Sequence, residues 1–283
     1  MTPPPAMRFP ALFLSLALAF SPGLVAADAP RSAVALAHTE SIALSSAQTG
    51  QSYVLLVSLP EGYATSGKTY PVLYVLDGWH FPLLAFLQNN NIYSERMRPV
   101  IMVNIGHEPG RNPMPLRALD FTPTPMKHPA IDRAGGAAAF LAFIEKDVIP
   151  LVERTYRADP ADRGLLGHSL GGLFALYTLV ERPGLFQRII SASPAADWDQ
   201  RVLFRLAREK LKNLPSSVRL DLSAGDEPDV YGHDITGSTK DFAALLKELQ
   251  PANLEFRHTH YPGENHNSIR LASFPAAMYW VYR

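Results

Sequence analysis

Short apolar runs alternate along this chain with longer segments whose apolar residues recur at helical spacing. Residues 53–59, 71–76, 100–105, 164–167, 187–192, 218–223 and 254–261 read as strands. They are short, rich in Val, Ile, Leu and Tyr, and several end at Gly, Pro or Asp. In 136–156, Phe140, Leu141, Ile144, Val148, Ile149 and Val152 fall at helical spacing. That predicts a helix which Pro150 kinks or divides. Further helices are predicted from Leu170 to about Glu181 and over 202–211, 239–249 and 269–282. Strands that alternate with helices in this way predict an α/β fold with a mostly parallel sheet and helices on both faces. A hairpin-like segment over 42–59 supplies the antiparallel edge. In such sheets ligands bind at the carboxyl ends of the strands, so the residues just after each strand are where chemistry is sought.

The N-terminal segment breaks this pattern. Arg8 is the only charge before Asp28, 9–20 is an apolar run, Ser21, Pro22 and Gly23 interrupt it, and Val25, Ala26 and Ala27 offer small residues. This is the layout of a secretory signal peptide. The run is shorter than the roughly 20 apolar residues that span a bilayer. The expected organisation is a cleaved signal at 1–27 and a single domain over 28–283, since one α/β domain often reaches about 250 residues. The product is then periplasmic or secreted, with no stable membrane insertion. There is no cysteine, which removes disulfides and lipid attachment to cysteine. Lys+Arg and Asp+Glu both number 26, so the formal net charge is zero. Nucleic-acid partners call for a basic excess and are not expected.

The sharpest local signal is Gly167-His168-Ser169-Leu170-Gly171-Gly172. A serine between glycines, after a strand and before a helix, sits on a tight turn that thrusts its hydroxyl into solvent at a helix N-terminus. Unpaired N–H groups there favour developing negative charge. Ser169 is the candidate nucleophile, and the N–H of Leu170 one half of an oxyanion hole. His168 is expected to turn away from the hydroxyl and pack.

A serine needs a base. His266, in the polar loop Pro262-Gly263-Glu264-Asn265-His266-Asn267-Ser268 after the last strand, is in the right chain order for one. A metal site from His258, His260 and His266 lacks a supporting ligand pattern, and no cofactor or metal is expected. The acid should follow the strand at 218–223. Gly225-Asp226-Glu227-Pro228-Asp229 offers three carboxylates; Glu227 is favoured, with Asp226 and Asp229 as alternatives. A second oxyanion donor is expected from Asp77-Gly78-Trp79-His80, where Gly78 lets the backbone turn and the N–H of Trp79 points inward.

The segments Pro71-Val72-Leu73-Tyr74-Val75-Leu76-Asp77-Gly78, Arg117 with Asp120-Phe121-Thr122-Pro123, Gly167 to Leu176, and Gly263 with His266 resemble the esterase D-like branch of the α/β-hydrolases. In pattern they are similar to the periplasmic esterases that open the enterobactin and salmochelin trilactones. The resemblance runs from about Ser41 to Phe274. It implies an α/β-hydrolase fold and metal-free serine ester hydrolysis, and it carries over Ser169, His266 and the Gly78–Trp79 loop. It departs at the acid. The family commonly has Glu three residues after the strand-ending glycine, where this chain has Pro228, and some trilactone esterases work with a Ser–His dyad.

The function expected is an exported serine esterase acting through an acyl-enzyme, with a small-molecule ester, a ferric or other catecholate-siderophore trilactone, as substrate. Alternatives are a feruloyl or general carboxylesterase, an acyltransferase, and a catalytically silent binding protein on the same scaffold. Trp79, Arg117 and Trp198 are read as lining an aromatic, anionic-substrate site together with Gly78. The plainer reading of Arg117 is an ion pair with Asp120 that holds a loop.

Overall fold

Alternation within each strand decides how this molecule is layered. The computed structural model describes residues 35–126 and 131–283; the expected signal segment at 1–27 lies outside them. Residues Leu36–Arg283 cluster as one unit. The strands are β1 (Thr39–Ser45), β2 (Ser52–Ser58), β3 (Tyr70–Leu76), β4 (Ile101–His107), β5 (Ala158–His168), β6 (Arg188–Ala192), β7 (Asn213–Ala224) and β8 (Ala252–His260). They form one sheet in the order β1-β2-β4-β3-β5-β6-β7-β8. β1 and β2 run antiparallel and β2 runs antiparallel to β4, while every pairing from β4 across to β8 is parallel. The antiparallel edge is thus where the sequence puts it.

All seven residues of β3 are buried, as expected of a central strand covered on both faces. Its side chains divide by parity. Val72, Tyr74 and Leu76 enter a core with Phe121, Phe140, Phe174 and Phe242. Leu73 and Val75 enter a second core with Leu84, Phe274 and Met278. The first core is covered by α3 (Pro113–Phe121), α4 (Ala137–Phe143), α5 (Ile149–Thr155), α6 (Leu170–Glu181), α7 (Trp198–Lys210) and α8 (Ile235–Leu249). The second is covered by α2 (Phe81–Ser94) and α9 (Ile269–Val281). A short α1 (Tyr63–Ser66) precedes β3.

Three details refine or correct the sequence pattern. The helix expected over 136–156 divides ahead of Pro150, through a π turn at Ile144–Val148 in which the N–H of Ile149 reaches the carbonyl of Ile144. Pro150 then enters the first turn of α5, where a missing N–H costs nothing. In α7, Asp199, Gln200 and Arg201 have φ of 45°, 52° and 64°, so regular helix starts at Val202, the predicted start. Helices α2 and α3 were not expected. In α3, Pro113 is in the first turn and the Asn112 side chain accepts from the N–H of Met114 at 3.1 Å.

Candidate active site

The turn between β5 and α6 holds Ser169 at φ 62°, ψ −122°, a strained conformation for a non-glycine residue. Two hydrogen bonds pin it: the N–H of Ser169 donates to the carbonyl of Ala192 (3.0 Å), and its carbonyl accepts from Ala195 (3.3 Å). A Cβ at position 167 would collide with the carbonyl of Gly171. One at position 172 would lie 2.9 Å from the carbonyl of Ala192. Close approach therefore demands Gly167 and Gly172, while a Cβ at 171 would meet only ordinary contacts. Leu170 opens α6, so its N–H belongs to the first helical turn, whose donors have no intrahelical partner.

The loop after β8 brings His266 across to this turn. Asn265 organises the loop: its side-chain oxygen accepts from the N–H groups of Asn267 (2.9 Å) and Ser268 (3.0 Å). His266 Nε2 lies 2.9 Å from Ser169 Oγ, and His266 Nδ1 is hydrogen-bonded to Glu227 Oε2. The loops after β7 and β8 are tied together. The N–H of Asp226 donates to the carbonyl of Glu264 (2.7 Å), and Asp226 Oδ2 accepts from the N–H of Gly263 (2.7 Å).

Glu227 is 2 % exposed, and its other oxygen, Oε1, accepts from Ser193 Oγ (2.7 Å) and from the N–H of Gly225 (2.7 Å). Burial pushes its pKa up, but the hydrogen bonds from His266, Ser193 and Gly225 outweigh burial and hold it below the usual glutamate value. The other two carboxylates of the loop are engaged elsewhere. Asp226 pairs with His260 at 2.9 Å, and Asp229 accepts from the N–H of Gly232 at 3.0 Å. Position 228, where the family resemblance expected the acid, is proline, and Glu227 one residue earlier reaches the ring. Sequence reasoning missed Ser193; its only signal was its place just after β6.

His168 does not face solvent. Its ring packs on that of His266 with centroids 4.5 Å apart, and the His80 ring stands edge-on to it at 6.2 Å. Burial, with the positive charges of Arg270 and Arg117 nearby, lowers the pKa of His168 well below its ordinary value and that of His80 to about 4. Both rings are neutral at neutral pH. Among the described residues, no group of three or more His, Asp or Glu side chains is arranged to hold a metal ion.

On the opposite wall the turn after β3 differs from expectation. Positive φ falls on Asp77 (66°), not on Gly78. Gly78 is needed for close packing instead, since a Cβ there would lie 3.0 Å from Gly106 Cα. Gly78 therefore lets the turn after β3 pack against β4 and is not among the cavity-lining residues; Trp79 is. Arg117 lines the cavity, but its partner is Asp77 and not Asp120. Nε and Nη2 reach the two Asp77 oxygens at 2.8 and 2.9 Å, and Nη2 also reaches the carbonyl of His168 at 3.3 Å. Asp120, three residues along α3, accepts from Tyr53 and Gln51 and lies 2.9 Å from His107 Nε2. Trp198, read as a substrate contact, is fully buried. Its indole N–H donates to the carbonyl of Thr124 (3.2 Å), and its ring stacks behind His233, which does line the cavity.

Ser169 and His266 open onto a cavity of about 760 Å³. Trp79, Met114, Ile131, Val230 and Tyr231 give it apolar walls, and Arg117 and Arg270 its cations. Three of these side chains, Trp79 (44 %), Met114 (52 %) and Tyr231 (78 %), are among the large hydrophobics the fold leaves exposed. A hydroxyl, a base and a buried acceptor in one hydrogen-bonded line, with helix N–H groups beside the hydroxyl, can carry acyl transfer.

Comparison with known proteins agrees with this chemistry. The family model Esterase, described as "Putative esterase", matches residues 46–277. The chain is 27 % identical to the ferri-bacillibactin esterase BesA of Bacillus subtilis (strain 168), over 82 % of this chain and 85 % of that protein. It is 31 % identical to an apo-salmochelin esterase of Escherichia coli O6:H1, over 85 % of this chain and 78 % of that one. Among solved structures, an IroE-like serine hydrolase of Shewanella oneidensis superposes with a TM-score of 0.73 at 28 % identity, covering 86 % of this chain and 80 % of that one.

Proposed function

We propose, because this chain belongs to the Esterase family and is a carboxylic ester hydrolase, that Ser169, His266 and Glu227 form its catalytic triad and that its substrate is a siderophore trilactone. One observation carries the assignment: the line Glu227–His266–Ser169 ends at the floor of the large apolar cavity.

Ser169 Oγ attacks the ester carbonyl while His266 Nε2 takes its proton. The imidazolium so formed faces the buried, ionised Glu227, which also fixes the tautomer through Nδ1. The tetrahedral oxyanion is met by the N–H groups of Leu170 and Trp79. Collapse breaks the C–O bond, and His266 returns the proton to the leaving alkoxide. Water, deprotonated by the same nitrogen, then attacks the acyl-enzyme and releases the acid.

The substrate reading draws on the relatives, a ferri-bacillibactin esterase and an apo-salmochelin esterase, and on the cavity. Its volume lies within the range of about 300–1,000 Å³ usual for small-molecule sites. Trp79 and Tyr231 at its mouth offer faces for aromatic rings. Residues 1–27 have the pattern of an export signal, so the enzyme works in the periplasm or outside the cell on an ester met there. Among the described residues no helix is long and apolar enough to cross a membrane.

Two measurements test this reading. A fluorophosphonate probe should label Ser169 in the wild type and not in Ser169→Ala. Hydrolysis of a catecholate trilactone should exceed that of feruloyl and short p-nitrophenyl esters; a preference for the simple esters would refute the substrate assignment and leave the esterase intact.

A further inference from the structure

The loop between β7 and α8 has two halves that are held separately. Its first half carries Glu227. The N–H of Glu227 donates to Thr236 Oγ1 (2.7 Å), Thr236 Oγ1 donates to the carbonyl of Gly225 (2.7 Å), and the carbonyl of Glu227 accepts from the N–H of Ile235 (3.1 Å). The acid is therefore fixed by the first turn of α8. The second half, 228–234, leaves from this closure and returns to it. Within it Val230 and His233 exchange both backbone hydrogen bonds, at 2.9 and 3.1 Å, around Tyr231 and Gly232. The φ angles of Tyr231 and Gly232, 54° and 84°, are those of a two-residue hairpin turn. Asp229 Oδ1 accepts from the N–H of Gly232 (3.0 Å) and closes the turn further. Tyr231, at the tip, is 78 % exposed and lines the cavity.

The anchor of this hairpin lies on another element. Asp197, at the start of α7, is hydrogen-bonded to His233 Nδ1 through Oδ1 (2.7 Å) and accepts from the N–H of Asp234 through Oδ2 (3.0 Å). The Trp198 ring stacks behind His233 at 5.9 Å, and its indole N–H is tied in turn to the carbonyl of Thr124. The same stretch after β6 reaches the nucleophile turn, since the N–H of Ala195 meets the carbonyl of Ser169. The tip is thus referenced to Ser169 through Asp197, by a route that does not pass through Glu227. We propose that this hairpin is a fixed specificity wall: Tyr231 is the platform for a planar ring of the ester, and Asp197, acting through His233, is the residue that positions it. The inference rests on the triad reading above and not on the trilactone. A platform ordered before substrate arrives loses little freedom on docking, so more of the contact appears as binding. The contact lies at the mouth, away from the reacting carbonyl, and it therefore acts on KM and not on kcat.

The test is kcat and KM of the full-length mature enzyme on ethyl butyrate, phenylethyl butyrate and ethyl phenylbutyrate, the last two carrying a ring on the alcohol or on the acyl side. Active sites are counted with a fluorophosphonate, so that unfolded protein does not enter kcat. In Tyr231→Ala the selectivity for a ring-bearing ester over ethyl butyrate should fall about five- to tenfold, the scale of one aromatic contact, with the loss in KM. Tyr231→Phe should keep the selectivity. Asp197→Ala should cause the same loss, and the Asp197→Ala/Tyr231→Ala pair should lose no more than either alone, as for two residues acting through one contact. His233→Asn, which retains a side-chain donor toward Asp197, should keep the selectivity that Asp197→Ala loses. Selectivity within about twofold of wild type in Tyr231→Ala, for both ring-bearing esters, would overturn the platform. A loss in Asp197→Ala that falls on kcat for all three esters alike would overturn the positioning role, since Asp197 would then serve the triad. Absence of labelling at Ser169 in the wild type would be failure of the triad reading, and would take this inference with it.

Discussion

Two buried carboxylates flank Ser169, and they do different things. Glu227, after β7, and Asp77, after β3, are each almost wholly shielded from water and each bind a nitrogen base. Glu227 faces an imidazole, a ring that can take up a proton at one nitrogen and return it during the reaction. Asp77 faces a guanidinium, which does neither. The first pairing can carry a proton cycle; the second can only hold shape. It fixes Arg117 against the carbonyl of His168 and against Trp79, and so sets one wall of the cavity. At equal burial, the partner decides the role of a carboxylate.

The largest effect should come from breaking the proton cycle at its end. Ser169→Ala should lower kcat by about 10⁶ and His266→Ala nearly as much, with the double variant no worse, because members of such a unit are not additive. Steady-state rates with circular dichroism as a folding control check this. On the other wall the loss should appear as stability. Asp77→Asn leaves the Arg117 charge buried without its counter-ion, which costs about 3–5 kcal/mol. Urea denaturation would read it, and the Asp77→Asn/Arg117→Met pair should recover much of the loss. If Asp77→Asn instead lowered kcat a thousandfold with unchanged stability, the two carboxylates would not differ as argued.

A smaller effect sharpens the Glu227 side. Ser193→Ala removes one of two donors to Glu227 Oε1 and keeps the N–H of Gly225. Turnover should fall about ten- to a hundredfold, the scale of one hydrogen bond to a charged group. The smallest expected effect is on pH. His80 and His168 have pKa values depressed on folding, so between 6.5 and about 4 the unfolded chain binds more protons than the native one. Stability is then highest above pH 6.5 and falls as the pH drops through that window. Glu227, whose pKa is lowered, loses its contribution in the same direction at lower pH still. Melting temperatures at pH 7.5 and 5.0 should differ, and His80→Leu should narrow the gap.

The sequence made Ser169 legible because its evidence is local: a strand, a glycine-flanked turn and a helix within a few residues. His266 was legible by chain order. Glu227 was legible only as one of three neighbours, since the choice turns on a clamp between two loops that pairing rules do not reveal. Arg117 was assigned a partner near in sequence, Asp120, whereas its true partner lies 40 residues away on another strand end. Trp198 read as a site aromatic because its burial depends on the distant carbonyl of Thr124 and the ring of His233. The sheet was legible through its apolar runs, but α3 was hidden by prolines that suit a first helical turn.

Glu227→Gln tests the central claim most directly. Gln keeps the volume and still accepts from Ser193 and Gly225, but it cannot balance an imidazolium or fix the tautomer in the same way. The account predicts a fall in kcat of about 10⁴, as for loss of the orienting acid in a full triad, with little change in melting temperature. Turnover within tenfold of wild type would contradict it, and would mean that Ser169 and His266 work as a dyad.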